Sequence, residues 1–155
     1  MSLQSVRAFL AERAPDIEII ELATSTATVA LAAAGHGVAP AQIAKTLSLK
    51  TGARAFLVVA AGDARLDNKK AKAAFGGKVK MLDAREVEEM TGHPVGGVCP
   101  FGLARPLHVY CDLSLKRFLE VVPAAGAVNA ALRIAPLRLA ELAGAEWVDV
   151  CAIPE

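Results

Sequence analysis

Phe56 to Ala61 is an unbroken apolar run, F-L-V-V-A-A, and a strand made of it has no polar face to present to water. It is too short for a membrane span. Burial on both faces is the remaining solution, which makes this segment the centre of a sheet covered on either side. The Thr51-Gly52 turn precedes it, and Ile43 to Lys50 precedes the turn. In that earlier strand Ile43, Lys45, Leu47 and Leu49 share one parity, while Thr46, Ser48 and Lys50 share the other. Lys45 therefore points with the apolar residues.

The flanking pattern alternates helices and strands. Leu3, Val6 and Leu10 recur at helical spacing up to Pro15, and Ile17 to Leu22 reads as a strand. Thr24, Ser25 and Thr26 are hydroxyl caps for an Ala-rich helix that Gly35 or Gly37 would end. A helix to Phe75 begins at Asp67, a strand follows over 79–82, and Asp83 caps a helix to Met90. Later segments read as strands over 107–111, 120–122, 129–134 and 147–150, a turn or short helix over 114–118, and a helix over 136–143 started by Pro136. Several strands adjoin directly. The expected fold is an α/β (α+β) single domain over 1–155, with a mixed, mostly antiparallel curved sheet flanked by helices.

Composition narrows the function. The 155 residues are 54% hydrophobic and 21% charged, a balance that suits a compact globular chain rather than a disordered one. Seventeen basic and sixteen acidic side chains leave a net charge of +1, which argues against wrapping nucleic acid by charge alone. A local contact with an RNA end stays open. No apolar stretch is long enough for a bilayer, and Cys99, Cys111 and Cys151 form neither a C-x-x-C pair nor an even set, so the expectation is a cytoplasmic protein without membrane attachment, disulfide framework, metal or cofactor.

Thr91 to Leu103, T-G-H-P-V-G-G-V-C-P-F-G-L, is the segment with the most shape and the fewest side chains. Glycine permits positive φ and close approach, and proline removes a donor, so the remaining N–H groups can be aimed. One reading is a structural turn between core elements. The other is a backbone site in which the amides around Gly96, Gly97 and Val98 hold a developing oxyanion. Lys45 has a similar pair of readings: its ammonium either snorkels to the surface or meets a negatively charged or carbonyl-bearing ligand in a pocket. Cys99 beside the loop is a candidate nucleophile with His93 or His108 as base, against the alternative of a small buried hydrophobe. His36 is expected at the surface. Lys69, Lys70, Lys72, Lys78 and Lys80 form either an RNA contact or a solvated face, and Asp63 and Asp112 suit turn and cap duties.

A-K-T-L-S-L-K at 44–50, A-G-D at 61–63, G-H-P-V-G-G-V-C-P-F-G-L at 92–103 and A-A-G at 124–126 together resemble the YbaK/ProX family, free-standing relatives of the editing domain of bacterial prolyl-tRNA synthetases. The resemblance implies that family's fold and hydrolysis of the ester joining a wrong, small amino acid to a tRNA, the tRNA for proline or a similar one. It implies catalytic positions at Lys45, Gly96 and Gly97. Thr26, Thr46, Val98, Cys99, Pro100, Phe101, Gly102, Ala124 and Gly126 would surround the substrate. The implied partners are the acceptor end of an aminoacyl-tRNA and a synthetase. Some members that remove cysteine carry serine in an S-G-G stretch where this chain has Ala124-Ala125-Gly126, so the resemblance does not extend to that specificity. Two other functions compete: a non-catalytic module that docks on a synthetase or tRNA, and a Cys99-dependent hydrolase.

Overall fold

The computed structural model describes residues 2–154. Its organising strand is the one the apolar run demands. β2 (Ile43–Thr51) and β3 (Arg54–Ala61) form an antiparallel hairpin in which Lys45 lies opposite Ala60 and Thr46 opposite Val59. On its other edge β3 pairs in parallel with β6 (His108–Asp112), so β3 is hydrogen-bonded on both sides. Leu57, Val58, Val59, Ala60 and Ala61 are all fully buried. Covering an aliphatic side chain of this kind contributes about 1.5–3 kcal/mol.

The remaining elements close the sheet and cap it. Before the hairpin come α1 (Ser2–Arg13), β1 (Ile20–Glu21) and α2 (Val29–His36). After it come β4 (Arg65–Leu66), α3 (Asn68–Phe75), β5 (Lys80–Met81) and α4 (Ala84–Thr91). Downstream of β6 lie β7 (Val122–Pro123), β8 (Ala130–Ala131), α5 (Pro136–Ala143), β9 (Glu146–Val148) and β10 (Cys151–Ala152). The main sheet runs β5-β2-β3-β6-β9, with β7 also paired to β2. Its β2–β3 and β2–β5 pairings are antiparallel, and β2–β7, β3–β6 and β6–β9 are parallel. Two short antiparallel ribbons, β1–β8 and β4–β10, complete a mixed α/β architecture.

Local signals explain the helix ends. Asp67 and Asp83 accept from the third residue beyond them, and Asp83 with Glu86 forms a reciprocal capping box. The α2 cap is Thr28 rather than Thr24 to Thr26, and Gly37 closes that helix. Two expected strands are shorter than their apolar patterns. Of Ile17 to Leu22 only Ile20–Glu21 pairs, and of 129–134 only Ala130–Ala131 forms a ladder, with Ile134 adding a single antiparallel bridge to Val121, while Ile17, Ile19 and Leu132 pack into the core. His36 departs from its expected surface position: it is buried, its carbonyl accepts from Arg133 at 2.7 Å, and its Nε2 has no partner among the described residues. Burial lowers its pKa, with Arg133 adding to the effect.

Candidate functional site

A cavity of about 370 Å³ opens along β2. Ile43, Ala44, Lys45, Thr46 and Ser48 form one wall, and Thr26 to Val29 at the start of α2 form another. Val95, Gly96 and Val98 of the shaped loop line it too, as do Met81, Leu82 and Ala84, Val87 of α4, and Val122, Ala124, Ala130 and Ala131. Lys45 and the loop thus share one hollow. Lys45 is the one charged lining residue among those described, and no carboxylate lines the cavity.

The loop's shape follows from what its glycines touch. At Gly96 φ is +90°, and a Cβ there would lie 2.7 Å from the Cβ of Ala27. At Gly97 a Cβ would lie 2.8 Å from the backbone of Ala127. Both positions exclude a side chain. The Gly97 N–H donates to the Pro94 carbonyl at 2.9 Å, closing a turn, and its carbonyl accepts from the Gly126 N–H at 2.9 Å. Gly97 was expected among the oxyanion donors, but its amide is engaged inside the loop. The amides of Gly96 and Val98 have no acceptor among the described residues, and both residues line the cavity.

Lys45 is half-buried, and its Nζ donates to the carbonyls of Gly62 and Ala64 at the end of β3. Two of the three ammonium hydrogens are held there, which leaves one for a ligand. Burial lowers the Lys45 pKa most, Cys151 and Asp63 oppose that, and Arg65 adds to the lowering. Asp63 is clamped by both terminal nitrogens of Arg117, whose hydrogen bond holds its carboxyl below the ordinary value. That pair braces the corner supplying the two carbonyls.

The other expected positions divide cleanly. Thr26, Thr46, Val98 and Ala124 line the cavity with Lys45 and Gly96. Cys99, Pro100, Phe101, Gly102 and Gly126 do not. Phe101 is fully buried and stacks on Phe9 at 5.6 Å, while Gly102 lies against Ser5 of α1. Pro100 and Gly102 face a separate shallow hollow beside α1. Gly126 accepts from the Ser2 hydroxyl and so ties the loop to α1.

Cys99 lies in the interior, fully buried, its thiol pushed up to about 12 by burial despite a hydrogen bond to the Phe101 carbonyl. A neutral thiol without access to the cavity is no nucleophile for an ester bound there. His93, also fully buried, contacts Phe101 O at 2.7 Å and Ser2 Oγ at 2.6 Å, and burial lowers its pKa. His108 is exposed and pairs with Glu146 at 3.3 Å, away from both. Lys69, Lys70, Lys72, Lys78 and Lys80 are exposed outside the cavity, with Lys70 bound to Asp149 at 3.0 Å. Asp112 takes a cap role, accepting from Ser114 N at 2.9 Å. Among the described residues no cluster of His, Cys, Asp or Glu could hold a metal, and no helix is long and apolar enough to cross a membrane.

Sequence reasoning missed Ala27, Val29, Val87, Val95 and Ser48. Ser48 had a signal: it shares strand parity with Thr46 and differs in kind from its apolar neighbours.

A mixed-sheet α/β domain whose cavity is walled by main chain, small side chains and one lysine is the class of protein defined by this geometry. The family model for the aminoacyl-tRNA editing domain matches residues 23–142, and the chain belongs to that family. It is 48% identical over 153 residues to YwhH of Bacillus subtilis, a protein of uncharacterised function, covering 97% of this chain and 98% of that one. It is 29% identical over 118 residues to EbsC of Enterococcus faecalis, described as a candidate Cys-tRNA(Pro)/Cys-tRNA(Cys) deacylase, covering 74% and 71%. Among solved structures, a candidate trans-editing enzyme for prolyl-tRNA synthetase superposes with a TM-score of 0.90 at 35% identity over 97% of each chain.

Proposed function

We propose that this editing domain acts in trans, as a single cytoplasmic domain, to hydrolyse the ester of a small amino acid wrongly attached to tRNA for proline or a similar tRNA. The observation that carries the reading is that Gly96 and Val98, whose amides have no acceptor among the described residues, line one cavity with Lys45. The relative described as a deacylase and the structure described as a trans-editing enzyme support it.

In the proposed reaction a water attacks the ester carbonyl, either directly or after the neighbouring ribose hydroxyl has taken over the acyl group. The C–O bond to the ribose then breaks, and the proton passes to the ribose oxygen. The Gly96 and Val98 amides stabilise the oxyanion between these events, a contribution of about 3–4 kcal/mol for one well-placed donor. Lys45, anchored by two carbonyls, directs its remaining hydrogen at a phosphate or carbonyl oxygen of the acceptor end. No protein nucleophile is required. A synthetase would serve as the partner that delivers the tRNA.

The test is release of amino acid from alanyl-, cysteinyl-, seryl- and threonyl-tRNA. Hydrolysis of at least one, lost in Lys45→Ala, is the expected result; equal rates for the intact protein and that variant would remove the proposed role of Lys45, and no release from any of them would end the enzymatic reading.

A further inference from the structure

Ser48 is a polar residue of the cavity that the proposed reaction does not use. It is 5% exposed, lines the cavity on β2, and its hydroxyl forms no hydrogen bond among the described residues. Two positions earlier on the same strand face, the Thr46 hydroxyl is also buried without a partner. Close to Ser48 the surroundings are apolar: Leu82, whose N–H takes the Ser48 carbonyl at 2.9 Å, together with Ala84 and Val87. A cavity-lining hydroxyl without a protein partner depends on water or a ligand for its hydrogen bond, so a ligand that displaces the water and offers no partner leaves it unpaired at a cost.

Lys45 occupies the opposite parity of β2, three residues away from Ser48, and its ammonium is turned to the Gly62 and Ala64 carbonyls. The acceptor-end phosphates belong with that charge. The aminoacyl group then extends toward Ser48, and no lining carboxylate meets an amine there among the described residues. A neutral hydroxyl is the acceptor the wall provides. A purely hydrocarbon acyl group would leave it unpaired, which is the situation in which a polar pocket discriminates most strongly.

We infer that Ser48, seconded by Thr46, is a specificity-determining residue that receives a hydrogen-bonding N–H or O–H of the aminoacyl moiety, so that this cavity selects polar acyl groups over hydrocarbon ones. The inference rests on the aminoacyl ester as the ligand of the cavity. Its chemistry has two sources, the α-amino group and a side-chain hydroxyl.

Binding of hydrolysis-resistant adenosine amides separates them. The probes are 3′-alanylamino-, 3′-serylamino- and 3′-propionylamino-3′-deoxyadenosine, titrated calorimetrically into the intact protein and into Ser48→Ala. Since the hydroxyl has no protein partner, the variant keeps the fold, and equal melting temperatures check this. The intact protein should favour alanyl over propionyl about tenfold if the amine is received, or seryl over alanyl about tenfold if a side-chain hydroxyl is, and Ser48→Ala should lose that preference. Unchanged ratios in both pairs, or no preference in the intact protein, overturn the inference. Because binding is read without turnover, tRNA that is never hydrolysed alongside a Ser48-dependent preference sinks the deacylase reading and leaves this one standing.

Discussion

The Gly97 carbonyl accepts a hydrogen bond from the Gly126 amide at 2.9 Å, joining two glycine-bearing loops that are 29 residues apart in the chain. Gly126 in turn accepts from Ser2, whose hydroxyl also contacts His93 at 2.6 Å. Loop, turn and first helix therefore form one connected frame behind the cavity. This frame holds the Gly96 and Val98 amides in place, and the loop residues that line the cavity beside Gly96 are the valines Val95 and Val98.

Gly97→Val tests the frame. The added side chain meets the Ala127 backbone at 2.8 Å, so the loop must move. Overpacking of this kind costs about 1–3 kcal/mol, and for a chain of this size each kcal/mol lowers Tm by about 2–4 °C. The expected outcome is a lower melting temperature by calorimetry and loss of deacylation together. A variant with unaltered Tm and full activity would show that the contact does not position the loop.

Lys45 should separate activity from stability. Its ammonium is half-buried with a lowered pKa, so Lys45→Met removes a desolvated charge from the protein while taking a donor from the cavity. A drop in deacylation of about 10²–10³-fold with Tm unchanged or raised is expected, by analogy with loss of one preorganised donor. Lys45→Arg should not restore the rate, since a planar guanidinium does not replace a point charge seated between two carbonyls.

The three cysteines should be silent in the native state. Cys99, Cys111 and Cys151 are buried, and burial pushes each thiol up to about 12. A thiol-specific disulfide reagent is expected to label none of them at pH 8 until denaturant is added, and Cys99→Ser should retain deacylation within about twofold. Rapid labelling of native protein with parallel inactivation would restore Cys99 as a candidate.

The pH dependence of stability should carry the signature of buried imidazoles. His93 and His36 both have folded-state pKa values lowered chiefly by burial. Above the unfolded value near 6.5 both states are neutral; as pH falls below it, the unfolded chain binds protons first and native stability is lost. The urea midpoint should therefore decline from pH 7 to pH 5, and His93→Gln should flatten the decline. An intact slope in that variant would assign the effect elsewhere.

Much of this was legible before folding because it is local. The unbroken run Phe56 to Ala61 demanded a doubly covered strand, Asp67 and Asp83 announced helix starts, and Lys45 stood out as a charge among apolar neighbours. Alternation along β2 shows which residues share a face, Ser48 with Thr46 and Lys50, but not that this face would be enclosed at Ser48. The loop was visible as shaped backbone, yet which of its amides are free depends on Pro94 accepting from Gly97.

From the chain alone came the sheet centre, the capped helices, the odd lysine and the glycine loop, because period, caps and φ limits act over a few residues. Tertiary structure alone decided that Gly96 and Lys45, 51 positions apart, share one cavity, and that Cys99, next to the same loop, is sealed outside it. The reason is physical: donor availability and solvent access are set by whatever packs against a residue, and those partners, Ala27, Ala127 and Phe101 here, are chosen by the fold and not by neighbours in sequence.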